Sequence, residues 1–261
     1  MNVPPGACDC HVHVFGPAAR YPLAPDRAYT PPEASLEDLL RTEEKLGMQR
    51  MVLVQPSVYG ADNSCMLDAL KALGSRARGV AVVDEFSDLE ELHAAGVRGV
   101  RVNLQTGNLR DPQLVAKAAA RVALLGWHVQ TFARIAILKE LKPLPTTLVI
   151  DHMGLPRDPS DCEYLVRLIR TQDVYVKLSA PHRLPMDAGP LVQALVAAAP
   201  ERCVWGSDWP HPVSAAHNPK AVQPFDDIDD VAALERLRER IPDQKVLRKI
   251  LVDNPVRLYE F

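Results

Sequence analysis

The sequence predicts an α/β fold closed into a (β/α)8 barrel, and three observations carry that reading. Eight short β-rich runs are spread along the chain, at 7–15, 51–56, 78–83, 97–103, 127–132, 147–152, 174–179 and 203–209. Helical patterns alternate with them, which argues a parallel sheet, and eight such units fit a barrel of about 250 residues. No Gly-rich nucleotide fingerprint follows a strand, which counts against the open doubly wound sheet. Residues 1–261 therefore read as a single barrel domain.

The helical segments share one grammar. SLEDLLRTEEKLG (35–47) opens on Ser35 as N-cap, carries Leu36, Leu39 and Leu40 at helical spacing, and stops on Gly47. DNSCMLDALKALG (62–74) and DPQLVAKAAARVALLG (111–126) repeat an acidic start and a glycine stop. Segments 87–96, 136–142, 162–170 and 188–199 fill the remaining slots. Two regions break the alternation. Residues 16–34 hold five prolines and two tyrosines and read as a long loop on the catalytic face, and 210–230 follow the eighth strand.

Composition excludes several classes of function. A net charge of −3 gives no basic field for nucleic acid or an anionic membrane. No apolar run approaches the roughly 20 residues that span a bilayer. The first residues, MNVPPGACDC, carry no secretory signal pattern, and the five scattered cysteines are no disulfide framework, so a cytoplasmic location is expected. Cys8 and Cys10 alternate with His11 and His13 and are expected on the opposite face of the first strand, in the core.

Chemistry in such a barrel gathers at the C-terminal ends of strands. Those ends supply His11 and His13, Gln55 and Ser57, Arg101 and Asn103, Phe132, Asp151 and His152, Lys177 and Ser179, and Ser207 and Asp208. His11, His13, His152 and Asp208 are the right donors for a single divalent ion such as Zn²⁺. The same set performs acid–base work without one. His128 reads as core, His93 as surface, and His182, His211 and His217 fall in loops. Arg101 projects from a strand end and offers a planar fork to a carboxylate; Arg183 offers a second.

HVHVFGP, YPLAPDRAYTPP, VQPSVYGADN, RGVAVVD, RGVRVN, VIDHMG, VWGSDWPHP and NPVRLY occur in this order along nearly the whole chain. Together they resemble the amidohydrolase superfamily (amidohydrolase-2 type) and, within it, the 2-pyrone-4,6-dicarboxylate lactonase family. The resemblance implies a distorted (β/α)8 TIM barrel and hydrolysis of a small carboxylated lactone by water, with no cofactor required. It implies Asp208 as the base, His11, His13 and His152 around the lactone carbonyl, and Tyr29, Ser57, Arg101 and Arg183 on the substrate. Two positions depart from the family: Gly107 stands near an expected arginine and Phe132 at an expected tyrosine. Arg134 or Arg110 would compensate. Related alternatives are a Zn²⁺-dependent decarboxylase using the same four ligands, a sugar-acid lactonase or isomerase, and a barrel that binds a small acid without chemistry.

Overall fold

The computed structural model describes residues 3–106, 110–213 and 216–261. Eight parallel strands run in chain order around one sheet. They are β1 Cys8–Val12, β2 Arg50–Val54, β3 Ala77–Ala81, β4 Val97–Asn103, β5 His128–Phe132, β6 Leu148–Ile150, β7 Val174–Leu178 and β8 Cys203–Trp205. The helices between them are α1 Leu36–Leu46, α2 Ser64–Leu73, α3 Leu89–Ala94, α4 Gln113–Val122, α5 Ile135–Leu138, α6 Pro159–Thr171 and α7 Gly189–Ala198. After β8 come α8 Asp230–Arg240, α9 Gln244–Arg248 and α10 Asn254–Tyr259, which the strand–helix alternation did not announce.

The local signals work as chemistry predicts. Ser35 and Asp38 form a reciprocal capping box on α1, and Gly47 ends it with φ 77°, a conformation glycine adopts without a Cβ penalty. Leu39 and Leu46 are fully buried against the barrel, each worth about 1.5–3 kcal/mol of apolar burial. α6 starts earlier than its apolar pattern suggests, because the Asp158 side chain caps it and Pro159 occupies its first turn.

β1 carries the main correction. Asp9 pairs with Met51, but Val12 pairs with Leu53, so one extra residue is inserted between them. This β-bulge resets the alternation. Cys8 and Cys10 do not face away from the histidines: they pack among Val52, Val54, Val80, Val149, Tyr175 and Val204, contributed by five other strands. His11 and His13 then face the same interior, one layer higher. Tyr259 enters this cluster from below and meets the His128 ring at 5.2 Å, confirming His128 as core. Arg50 and Arg78 flank Phe261 at 5.3 and 4.9 Å. His93 is not simply surface either: it accepts a 2.8 Å hydrogen bond from Trp127 Nε1 and stacks on that ring.

The barrel closes through the segment beyond β8. Asp208 N donates to His11 O and His13 N donates to Trp209 O, both at 2.9 Å. Gly206 permits this approach, because a Cβ there would lie 2.6 Å from His11 Cβ. The two irregular regions meet over the C-terminal face. Gln223 N donates to Thr30 O at 2.8 Å and Ala216 N to Ala28 O at 3.0 Å.

Candidate active site

The seam between β1 and β8 brings the predicted residues together. Asp208 Oδ1 stands 3.6 Å from His11 Nε2, 3.7 Å from His13 Nε2 and 3.6 Å from His152 Nε2. All four are buried. Asp208 and His152 adopt φ of 75° and 51°, left-handed conformations that cost side-chain-bearing residues energy and concentrate at functional sites.

Each imidazole is held from behind. His13 Nδ1 donates to Val54 O at 2.7 Å, which leaves its Nε2 as a bare lone pair toward Asp208. His152 Nδ1 pairs with Ser179 Oγ at 2.8 Å, and its ring meets Phe132 edge-to-face at 4.9 Å. His11 Nδ1 lies 3.3 Å from Lys177 Nζ and 3.3 Å from Asp151 Oδ1. Burial drives all three toward the neutral form, His152 to about 4 and the other two below their ordinary value.

The carboxylates divide into two kinds. Burial would raise the Asp208 pKa, but His152 and Arg183 outweigh it and hold the carboxyl well below the usual range. Asp151 is likewise kept ionised against burial, by His11 and Lys177. Asp9 differs: burial pushes it up to about 7, against hydrogen bonds from Ser207 and His11. Its Oδ1 accepts from His11 N and Ser207 N, both at 3.0 Å, so it ties the bulge to the strand that delivers Asp208.

The predicted substrate residues take two arrangements. Arg183 donates to Asp208 Oδ2 through Nε at 3.1 Å and Nη2 at 2.8 Å, and to Pro212 O at 2.8 Å. Its guanidinium therefore covers one edge of Asp208 and leaves Oδ1 to the imidazoles. Arg101 reaches inward from β4, donating to Gln55 O at 3.0 Å, with Asp151 Oδ2 at 3.5 Å. Tyr29 is buried in the covering loop, its hydroxyl against Ser57 and within the field of Arg101, Asp208 and Arg183. Gly107 lies outside the described residues, and Phe132 sits in the wall of the site as expected.

Sequence reasoning placed Lys177 and Asp151 at strand ends without roles, and passed over Gln130 and Asp9. The available signal was a charge within an apolar strand, VYVKL for Lys177 and CDCHV for Asp9, since unpaired charges are seldom buried.

Part of the donor set, His11, His13 and Asp208, has spacings compatible with a single divalent ion, and His152 does not group with all three. Around a tetrahedral ion with bonds of about 2.1 Å, donor atoms stand roughly 3.4 Å apart. The three spacings from Asp208 Oδ1, at 3.6–3.7 Å, lie close to that. His11, His13 and Asp208 group within metal-binding reach, as do His11, Asp151 and His152.

Comparisons with known proteins agree with this architecture. A 2-pyrone-4,6-dicarboxylate hydrolase of Comamonas testosteroni is 38% identical over 288 residues, covering 99% of this chain and 92% of that one. A 4-sulfomuconolactone hydrolase of Rhizobium radiobacter is 37% identical over 278 residues, covering 98% and 91%. A crystal structure from Acinetobacter baumannii, assigned as a probable 2-pyrone-4,6-dicarboxylic acid hydrolase and holding citric acid, is 26% identical with a TM-score of 0.78, covering 98% and 100%. The amidohydrolase family Amidohydro_2 matches residues 8–261, from the first strand to the last residue, and this chain belongs to it.

Proposed function

We propose that the protein hydrolyses a carboxylated lactone of the 2-pyrone-4,6-dicarboxylate type. One observation carries the reading: an ionised carboxylate, Asp208, turns a single oxygen toward three neutral imidazoles while Arg183 holds the other. Relatives acting on a pyrone dicarboxylate and a sulfonated muconolactone support a cyclic ester carrying anionic groups. The Acinetobacter structure was obtained with citric acid bound, itself a polycarboxylate.

The substrate carboxylates dock on Arg101, Arg183, Ser57 and Tyr29. Drawing Arg183 toward substrate relaxes its hold on Asp208 and raises the basicity of that carboxylate. Asp208 Oδ1 takes a proton from water as the water oxygen bonds to the lactone carbonyl carbon. The carbonyl oxygen gathers negative charge toward an imidazole that presents an N–H, a part that His13 does not take because its Nε2 is a lone pair, in a dry, preorganised site. The ring C–O bond then breaks, and Asp208 returns its proton to the leaving oxygen, giving an enol and a carboxylic acid, which loses its remaining proton to solvent. A divalent ion held by His11, His13 and Asp208 would supply Lewis-acid polarisation of the carbonyl.

The test is the initial rate of 2-pyrone-4,6-dicarboxylate ring opening, followed by loss of pyrone absorbance after exhaustive chelation. Turnover supports the lactonase, and its persistence without added ion supports catalysis by the protein's own groups. The donor spacing favours a second reading, a divalent-ion-dependent enzyme on the same residues. No turnover before zinc addition and turnover after it would select that reading. No turnover of this or any other carboxylated lactone, with or without zinc, would refute the proposal.

A further inference from the structure

We propose that Lys177 fixes the tautomer of His11, so that the Nε2 turned toward Asp208 carries a hydrogen and acts as a donor rather than a lone pair. Lys177 is fully buried in the barrel. An ammonium has three hydrogens and no acceptor. Three acceptors surround it in order of distance: Cys10 O at 2.7 Å, Gln130 Oε1 at 2.7 Å and His11 Nδ1 at 3.3 Å. Two hydrogens go to the short bonds, and the third is directed at His11 Nδ1. Asp151 Oδ1 is farther from the ammonium, at 3.7 Å.

Asp151 is the competitor, because a hydrogen on His11 Nδ1 would have to go to it. Its Oδ1 stands 3.3 Å from Nδ1 but accepts no hydrogen bond there. Its Oδ2 is occupied by Gln130 Nε2 at 3.1 Å and by Arg101 at 3.5 Å. Gln130 locks the arrangement, since its amide oxygen must face Lys177 and its amide nitrogen Asp151. With Nδ1 accepting, a neutral imidazole has one place left for its hydrogen, which is Nε2.

The two histidines of the H-x-H pair therefore differ. His13 donates through Nδ1 to Val54 O and presents a lone pair; His11 accepts at Nδ1 and presents an N–H. In the proposed hydrolysis, His11 is the imidazole that donates to the developing oxyanion. Only that use of the hydrogen rests on the lactonase reading. His11 also joins a divalent ion only as a bare Nε2, so Lys177 opposes tight ion binding. As a positioning residue, Lys177 sets which chemistry the donor set favours.

The experiment uses intact chelated protein with ring-¹⁵N histidine and long-range proton–nitrogen spectra, without substrate. His11 is assigned by the signals lost in His11→Asn. The expected spectrum shows a protonated Nε2 and unprotonated Nδ1 for His11, and the reverse for His13. In Lys177→Met the His11 hydrogen moves to Nδ1 and Asp151, and titrated Zn²⁺ binds about tenfold tighter, the scale on which groups behind metal ligands act. A wild-type His11 with its hydrogen on Nδ1, or unchanged Zn²⁺ affinity in folded Lys177→Met, overturns the proposal. Should Lys177→Met fail to fold, the wild-type spectrum decides alone. Absence of lactonase activity alongside the expected spectrum would count against the proposed function and leave the tautomer assignment standing.

Discussion

Gly206→Ala tests whether the closing seam governs catalysis. An added Cβ would sit 2.6 Å from His11 Cβ, 2.8 Å from His11 N and 3.2 Å from His11 Cα. Carbon atoms pack at about 3.5 Å, so the two strands must part by roughly 0.9 Å. The neighbour is backbone, and it is pinned by Asp9 Oδ1 on His11 N and by Asp208 N on His11 O. Overpacking of this kind costs about 1–3 kcal/mol. The catalytic cost is expected to be larger, since a displacement near 1 Å loses about 100-fold in rate. Turnover of the pyrone and denaturant unfolding measured on the same preparation read both effects. A kcat within twofold of wild type, with an unchanged unfolding midpoint, would refute the argument that His11 and Asp208 are set by this close approach.

Asp208→Asn keeps the shape and removes the proposed base; kcat is expected to fall by about 10²–10⁴ with KM little changed, checked by steady-state kinetics beside circular dichroism. Arg183→Met removes a charge that holds the Asp208 pKa down, so the acidic limb of kcat/KM should move to higher pH. The same depressed pKa contributes stability above the unfolded carboxylate value of about 3.9, lost as pH falls toward the folded one, and unfolding measured against pH should show a smaller acid loss in the variant. Asp9→Ala strands two buried N–H groups, each worth about 1–3 kcal/mol, whereas Asp9→Asn keeps an acceptor and should recover most of the loss in a denaturant titration.

Much of this arrangement was legible in the chain because it follows from periodicity. Parallel strands buried on both faces read as apolar runs, and β4 spans the predicted 97–103. Strand ends name the mouth of a barrel, which is how His11, His13, His152 and Asp208 could be grouped before any coordinates. Period-two reasoning failed at β1, where the inserted residue turned Cys8 and Cys10 inward. No local signal marks a bulge that exists to match a neighbouring strand. Most predicted strands also run past their observed ends; β6 stops at Ile150 and β8 at Trp205, where the next residues turn to aim His152 and Asp208 inward. Arg183 was legible as a cation near the site. Its grip on Asp208 was not, since that pairing depends on how two loops meet in space.

The seam also orders events in time. His11 belongs to the first strand and Asp208 follows the last, so almost the whole chain must leave the ribosome before the two can meet. A nascent barrel lacking its final quarter carries the histidine pair but not the carboxylate. Cutting the chain in the turn at Gly126 would divide them between two fragments, each silent alone. Activity regained on mixing would then report closure of the sheet itself, with the enzyme serving as the readout of its own assembly.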